Sequence, residues 1–269
     1  MKNALFRSLR LYPALLRLGF AEAVAYRAEF FVWILSTTMP LVMLALWAAV
    51  AREAPVGRFD QDGFVAYFLA TLLSRMLSGA WVVWVMVEEI RRGQLAQRLL
   101  RPVHPILTYS AENLAGIPLR LVLALPVAVL LLVAVGSEHL TGDGALLALY
   151  VLSLGGAWLI NFLSMVVIGN LAFFLESALG VYSLFLAVHF VLSGYLVPLE
   201  LFPDALRGAA EVLLFRFMVS FPVEILTDRL SVLETLVLLG WQWAWVIGLA
   251  GLAVLGWRAG LRRYAAFGG

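Results

Sequence analysis

The sequence predicts an all-α polytopic membrane protein with six transmembrane helices, and three observations carry that prediction. First, 63% of the 269 residues are hydrophobic and only 13% are charged, with a mean hydropathy of +0.96. A soluble domain is roughly half apolar and about a quarter charged. Second, the apolar residues gather in six runs, each long enough for the roughly 20 residues that cross a bilayer as helix. Third, the arginines between the runs fall mostly on one side. The runs are too long for strands and lack their alternation. Six buried core helices of a soluble protein would leave no polar surface to meet water.

The spans are placed at residues 30–50, 64–87, 114–135, 145–169, 179–197 and 236–257. With six crossings, three basic segments share one side: Lys2, Arg7, Arg10, Arg17 and Arg27; then Arg91, Arg92, Arg98 and Arg101; then Arg258, Arg262 and Arg263. The other side holds Arg52 and Arg58, none in "GSEHLTGDG", and Arg207, Arg216 and Arg229 among six carboxylates. The excess of arginine marks the cytoplasmic side, so both termini and the interval after the second span are expected there. Cysteine is absent, which excludes disulfides and thiolate metal sites. The basic residues scattered through the first 29 positions do not resemble a cleavable signal peptide.

Ahead of the first span, Leu5, Leu9, Tyr12, Leu16 and Phe20 recur at helical spacing, with arginines on other faces. Residues 1–29 therefore read as an amphipathic helix in the membrane surface, interrupted at Pro13. The same arginines also serve as a plain orientation signal.

After the second span, "EEIRRGQLAQRLLRPVHPI" puts acids first and arginines later, matching the helix dipole, and ends on Pro102 and Pro105. Residues 88–100 predict a polar helix of about three turns. A solvated connector and a partner-binding element both fit that pattern. A short turn would suffice for connection alone. Between the fifth and sixth spans, residues 198–234 are too apolar for a solvated loop, while Pro198, Pro203 and Pro222 forbid a clean span. Two half-helices near 204–215 and 222–228, dipping inward at the outer mouth, satisfy the rule that irregular backbone at membrane depth needs protein or a wet cavity beside it. A surface-lying amphipathic loop is the other reading.

These stretches resemble a known family. "EEIRRGQLAQRLLRPVHPI" is similar to the Ile-x-x-Gly-x-Leu-x-x-x-Leu-x-x-Pro pattern of one branch of ABC-2-type permeases, long known only as a family of unknown function. "SGYLVPLELFPDALRGAAEVLLFRFMVSFPVEIL" is similar to the region before the last span in that superfamily, where Pro-Leu-x-x-Phe-Pro precedes short re-entrant helices. The resemblance covers essentially the whole chain as a single permease domain. It implies a permease subunit of an ATP-driven exporter in the plasma (bacterial inner) membrane. A second permease, identical or related, and cytoplasmic ABC ATPase subunits are the implied partners, beside membrane lipids and without nucleic acid. Residues 88–105 then correspond to the coupling helix, with Glu88, Glu89, Arg91, Arg92 and Arg98 facing the ATPase. Pro198, Phe202, Pro203 and Pro222 correspond to the external re-entrant segment.

The residues support no enzyme of their own. His104, His139 and His189 fall at separate places, so no metal cluster is expected. His189 and Ser193 share a helical face, but a serine hydrolase also needs an oxyanion hole and a nucleophile turn, and neither pattern is present. No Gly-x-x-x-x-Gly-Lys-Ser/Thr loop exists, so no cofactor is expected on this chain, and ATP and Mg are expected on the partner ATPase. An ion-coupled secondary transporter would carry mid-membrane acids and an internal repeat. All 17 carboxylates map outside the span interiors. A structural membrane protein without transport would not need the basic helix.

Two further positions stand out. Arg75 lies mid-span in "YFLATLLSRMLSGAWVVWV", at roughly 16 Å from either end by the 1.5 Å rise per residue, too far to snorkel. It is expected in the translocation pathway or the permease–permease interface, with Ser78 beside it, unless the span is shifted. Glu176, in "LAFFLESALG", is expected to position the ATPase or to pair with a basic residue of the cytoplasmic layer, or to be a solvated turn residue. Trp81, Trp84, Trp158, Phe162, Phe185 and Phe190 suit an amphipathic or lipid-like cargo, or serve as packing; the resemblance implies a lipid-like, glycan or drug-like cargo.

Overall fold

The computed structural model describes residues 2–25, 38–135 and 139–264. Among them the chain is helical, and its sole strand-like pairing is an isolated bridge between Val56 and Phe59. In chain order the helices are α1 (Lys2–Ala25), α2 (Met39–Ala51), α3 (Gln61–Ser78), α4 (Val82–Arg91), α5 (Leu95–Leu99), α6 (Pro105–Ala115) and α7 (Ile117–Val135). There follow α8 (Gly144–Asn170), α9 (Ala178–Leu192), α10 (Asp204–Val212), α11 (Ser220–Leu226) and α12 (Val232–Leu261).

Among the described residues four runs are long and apolar enough to cross a membrane: Gln61–Arg91, Pro105–Ala134, Gly144–Phe173 and Val232–Leu261. The helices α2 and α9 are apolar but shorter. The amino-terminal part of the first expected span, up to residue 37, lies outside the described residues.

Local sequence sets the helix ends. Asp60 accepts from the Gly63 amide at 2.7 Å to start α3, and Asp143 accepts from the Ala145 amide at 2.8 Å to start α8. Ser231 and Glu234 form a reciprocal capping box at the start of α12. Pro105 occupies the first turn of α6, where its missing N–H costs nothing.

The centre of the bundle is α8, which packs against α12, α4, α11, α3 and α9. Two of the long runs are equally enclosed: 67% of the most apolar window is buried in Gln61–Arg91 and in Gly144–Phe173, against 17% in Pro105–Ala134. Helices in lipid gain little from hydrophobic burial, so close approach and buried polar contacts decide their packing. Gly156 leaves room for the carboxamide of Gln242, which donates to the Ser153 and Phe217 carbonyls at 2.9 and 3.1 Å. Gly169 accommodates Met86, and a Cβ there would lie 2.7 Å from its sulfur. Gly256 faces Asn170, whose amide donates to the Ala253 carbonyl at 2.9 Å.

Four expectations change. The second span is not one helix: it breaks at residues 79–81, between α3 and α4. The three-turn polar helix over 88–100 is also broken, because Gly93 adopts φ 75° and ends α4, leaving only the short α5 beyond it. The fifth helix stops at Leu192 rather than near 197, where Gly194 turns the chain at φ 80°. Finally, α1 continues through Pro13. The lost hydrogen bond is tolerated while α1 lies along α6, with Gly19 against Ala115 and the Tyr12 hydroxyl 3.0 Å from Ser110 Oγ.

The glycine packing is testable with neighbouring positions. Gly156→Ala should lower stability by about 1–3 kcal/mol because its Cβ overlaps the fixed Gln242 side chain. Gly155→Ala, which meets open space, should leave the melting temperature unchanged or slightly raised. Thermal unfolding of both purified variants in one detergent distinguishes them, and equal melting temperatures would refute the close contact.

Candidate functional site

Three polar regions interrupt the apolar bundle. The first is at mid-depth. Arg75 and Arg120 fall near the midpoints of their long runs, Gln61–Arg91 and Pro105–Ala134. Arg120 is 1% exposed and donates from Nη1 to the Gly79 carbonyl at 2.5 Å. Asn113 Oδ1 accepts from the Trp81 amide at 3.1 Å. The break in the second span is therefore satisfied from the third, as backbone buried away from water requires. Arg75, one turn before the break, is part-buried, and its Nη1 is buried with no hydrogen-bond partner among the described residues.

Helix α9 closes this region from the other side. Trp84 meets Tyr182 edge-on with ring centroids 4.9 Å apart. Tyr182, Phe185 and His189 follow one another along a single face of α9. The end of α9 is anchored by Tyr67, whose hydroxyl donates to the Gly194 carbonyl at 2.7 Å, and by the Ser220 amide, which donates to the Ser193 carbonyl at 3.1 Å.

The second region lies at the end of the bundle that gathers residues 92–104, 171–177 and the last helix. The Ala96 amide donates to the Tyr264 hydroxyl at 3.2 Å, and Arg263 sits over the Phe174 ring. Here Arg98 is the hub. Its Nε donates to both Glu89 oxygens at 2.7–2.8 Å, its Nη1 donates to Glu112 at 2.6 Å, and the guanidinium lies 4.4 Å from the Tyr109 ring centre. The Tyr109 hydroxyl donates to Glu89 at 2.6 Å. Burial opposes the Arg98 charge, but the Glu112 and Glu89 carboxylates outweigh it and hold its pKa above the ordinary arginine value.

Around this clamp the surface is open. Glu88, Arg91, Arg92 and Arg101 are exposed, with Glu88 and Arg92 joined at 2.6 Å, and Leu100 is 87% exposed. Glu176 is exposed in the turn after Leu171–Phe173, with no ion pair among the described residues.

The third region, at the opposite end, is a cavity of about 410 Å³ between the 56–59 turn and residues 199–230. Glu200 binds Arg58 at 2.5–2.6 Å and Arg229 at 3.2 Å, while Arg216 pairs with Glu224 at 2.7 Å. Arg229 lies over the Phe59 ring at 4.1 Å. Burial lowers the Arg229 pKa from its ordinary value, and Glu200 pulls it back. Two short helices occupy this segment: α10 ends at Val212 rather than 215, and α11 covers 220–226 rather than 222–228, the two joined through the turn Arg216–Met218. All of α11, including Pro222, is buried. Pro198 is buried at the start of the Leu199–Leu201 turn, and Phe202 and Pro203 lead into α10.

Sequence reasoning grouped Glu89 and Arg98 with Glu88, Arg91 and Arg92 as one exposed surface. The structure divides them: the first two face inward and are spent on Glu112 and Tyr109. Arg120, Asn113 and Gln242 were missed altogether. Each is a polar residue inside or beside an apolar run (Arg120 in "GIPLRLVLALP", Gln242 in "GWQWAW"), the same signal that marked Arg75.

That division predicts unequal losses. Arg98→Met strands two carboxylates that are 15% and 22% exposed, and should cost about 3–5 kcal/mol. Arg92→Met removes a pair between side chains 67% and 51% exposed, and should cost under about 1 kcal/mol. Thermal unfolding measures both, and comparable losses would contradict the inward role of Arg98.

The chain matches the family described as ABC-2 family transporter protein over residues 58–268. Comparison with curated proteins and with solved structures gives no match. The matched stretch runs from the turn after α2 through α12 and contains all four long apolar runs. The protein is thus a multi-pass membrane protein and a transport permease rather than an enzyme, and it belongs to the ABC-2 transporter family.

Proposed function

We propose that this chain is the transmembrane subunit of an ATP-driven exporter, working beside a second permease and driven by separate ATPase subunits that carry ATP and Mg. Its cargo class is amphipathic: a lipid-like, glycan or drug-like molecule. In this reading the chain crosses the plasma membrane six times, α2 and α9 being parts of the first and fifth spans, with both termini and the Arg98 clamp on the cytoplasmic side.

The observation that carries the proposal is the exposed tip beside that clamp. Leu100 is 87% exposed next to Arg91, Arg92 and Arg101, on a short element fixed from behind by Arg98. An exposed leucine on a rigid, charged tip suits a surface that a partner covers. Glu88, Arg91 and Arg92 supply its charged rim, and Glu176 lies at the same end of the bundle. Glu89 and Arg98 support the surface from inside. The segment 198–230 narrows the opposite mouth through Glu200 and its two arginines.

Lateral faces fit the same reading. Val133 and Ile247 are 79% and 72% exposed, on α7 and α12. Lipid and the second permease cover such faces.

The test is recovery of a nucleotide-binding partner. An affinity-tagged permease solubilised from its native membrane should retain a protein that mass spectrometry identifies by a Gly-x-x-x-x-Gly-Lys-Ser/Thr loop. The double change Arg91→Glu and Arg92→Glu should reduce that recovery at least about tenfold without altering the melting temperature, while the half-exposed control Arg207→Glu at the far end leaves it intact. Recovery unaffected by the double change would overturn the assigned surface. Transport with no such partner would favour an ion-coupled carrier.

A further inference from the structure

The cavity of about 410 Å³ at the end of the bundle opposite the Arg98 clamp has largely ionic walls. Small-molecule sites occupy roughly 300–1,000 Å³ and are mostly apolar, with a few polar groups fixing the ligand. Here the proportions are reversed. Arg58, Arg207, Arg216 and Arg229 line the cavity together with Glu200, Glu211 and Glu224. Four guanidiniums against three carboxylates leave one positive charge in excess among the lining residues.

The pairing places that excess on Arg229. Arg216 is matched by Glu224 at 2.7 Å, and Arg207 by Glu211 at 2.8 Å, one turn along α10. Glu200 is shared. Arg58 holds it in a fork, with Nη2 donating to Oε1 at 2.6 Å and Nε donating to Oε2 at 2.5 Å. Arg229 Nη1 reaches Oε1 at 3.2 Å, the oxygen that Arg58 already uses. A guanidinium carries five N–H donors. This is the one side-chain hydrogen bond that Arg229 makes among the described residues.

The fold nevertheless holds Arg229 at the wall of the cavity. Its side chain is 11% exposed, and the guanidinium lies 4.1 Å from the Phe59 ring centre and 5.3 Å from that of Tyr67. Its backbone amide donates to the Glu224 carbonyl at 3.0 Å. Asp228 turns the chain out of α11 at φ 52°, a conformation uncommon for any residue with a side chain. Asp228 itself is exposed and does not line the cavity. A fixed cation with spare donors beside an open volume is completed by an oxyanion.

The volume exceeds what a bare oxyanion fills. The rest of the lining alternates carboxylate acceptors with guanidinium donors, and hydroxyl groups, which donate and accept at once, answer both. Leu199, Leu201 and Leu230 add the apolar part of the wall.

We propose that this cavity is a binding site for an acidic sugar, a polyhydroxylated molecule whose single carboxylate or phosphate displaces Glu200 from Arg229, either free or as the end unit of a glycan. The proposal deepens the exporter reading by naming a cargo chemistry, and rests on that reading for its place at the outer mouth. Its test is direct binding and needs no ATPase. Failure of the partner assignment leaves it measurable, and failure of binding leaves the partner assignment standing.

The full chain is reconstituted in phosphatidylcholine nanodiscs and titrated with radiolabelled glucuronate. Binding should be saturable and displaced by glucose 6-phosphate. It should weaken about 10- to 100-fold in Arg229→Gln, the range for loss of a charged hydrogen-bonding partner, and recover in part in Arg229→Lys. Glu200→Gln removes the carboxylate that competes for Arg229 and adds a unit of positive charge, so it should tighten binding about fivefold. A purely structural ion pair predicts no such gain, and this variant keeps the test valid if Arg229→Gln fails to fold. The exposed change Arg258→Gln at the other end should bind as the parent does.

Tighter displacement by a hyaluronan tetrasaccharide ending in glucuronate than by glucuronate itself assigns the site to a glycan end, and equal or weaker displacement assigns it to the free sugar. Displacement by neutral glucose as strong as by glucuronate would overturn the proposal, because the charge would then be idle. Equally strong displacement by inorganic phosphate would overturn it too, because the hydroxylated body would be idle. Absence of saturable glucuronate binding, binding indifferent to Arg229→Gln, or no gain in Glu200→Gln would each overturn it as well.

Discussion

Arg120 donating to the Gly79 carbonyl, with Asn113 accepting from the Trp81 amide, is the contact on which the bundle depends. Breaking a helix at mid-membrane strips backbone groups of their partners, and hydrocarbon offers no replacement. The third span supplies both substitutes. That fixes α7 and α6 against α3 and α4 in one register, because a shift by one residue would leave the carbonyl and the amide bare. It also explains an arginine in a helix that is otherwise Leu, Val, Ala, Ile and Pro.

The same requirement organises the rest of the interior. Gln242 ties α12 to α8 and to the Arg216–Met218 turn, and Asn170 ties α8 back to α12. Tyr67 holds the Gly194 turn at the end of α9. Each is a single polar side chain answering backbone carbonyls on another element. Between them, glycines on α8 and α12 allow the close contacts that replace the hydrophobic drive of a soluble core. Outside that frame, α7 and α12 turn apolar faces outward.

Charge is handled differently at the two ends. One end buries Arg98 among Glu89, Glu112 and Tyr109, which makes a rigid base, and leaves Glu88, Arg91, Arg92 and Leu100 on its surface. The other spreads paired arginines and glutamates around a cavity closed by a buried short helix.

Much of this was legible in the residues. Hydropathy fixed the helical class, and the arginine-bearing stretches 91–101 and 258–263 lie at one end of the bundle, where the Ala96 amide donates to the Tyr264 hydroxyl. The prolines at 198, 203 and 222 marked the short helices of the second charged end. Arg75 was conspicuous because a mid-span charge is rare on any helix. Three things needed the folded chain. Gly93 ended the polar helix because its left-handed turn is recognised only in three dimensions, glycine being compatible with helix as well. Glu89 and Arg98 face inward, half-buried, because their partner Glu112 lies on the next long helix, beyond the reach of local periodicity. The break at 79–81 was hidden for the same reason: its local cost is set by Gly79 and its neighbours, but its compensation comes from Arg120 and Asn113 across the bundle. Local sequence determines which segments leave water. Which buried polar group answers which is decided only when the helices meet.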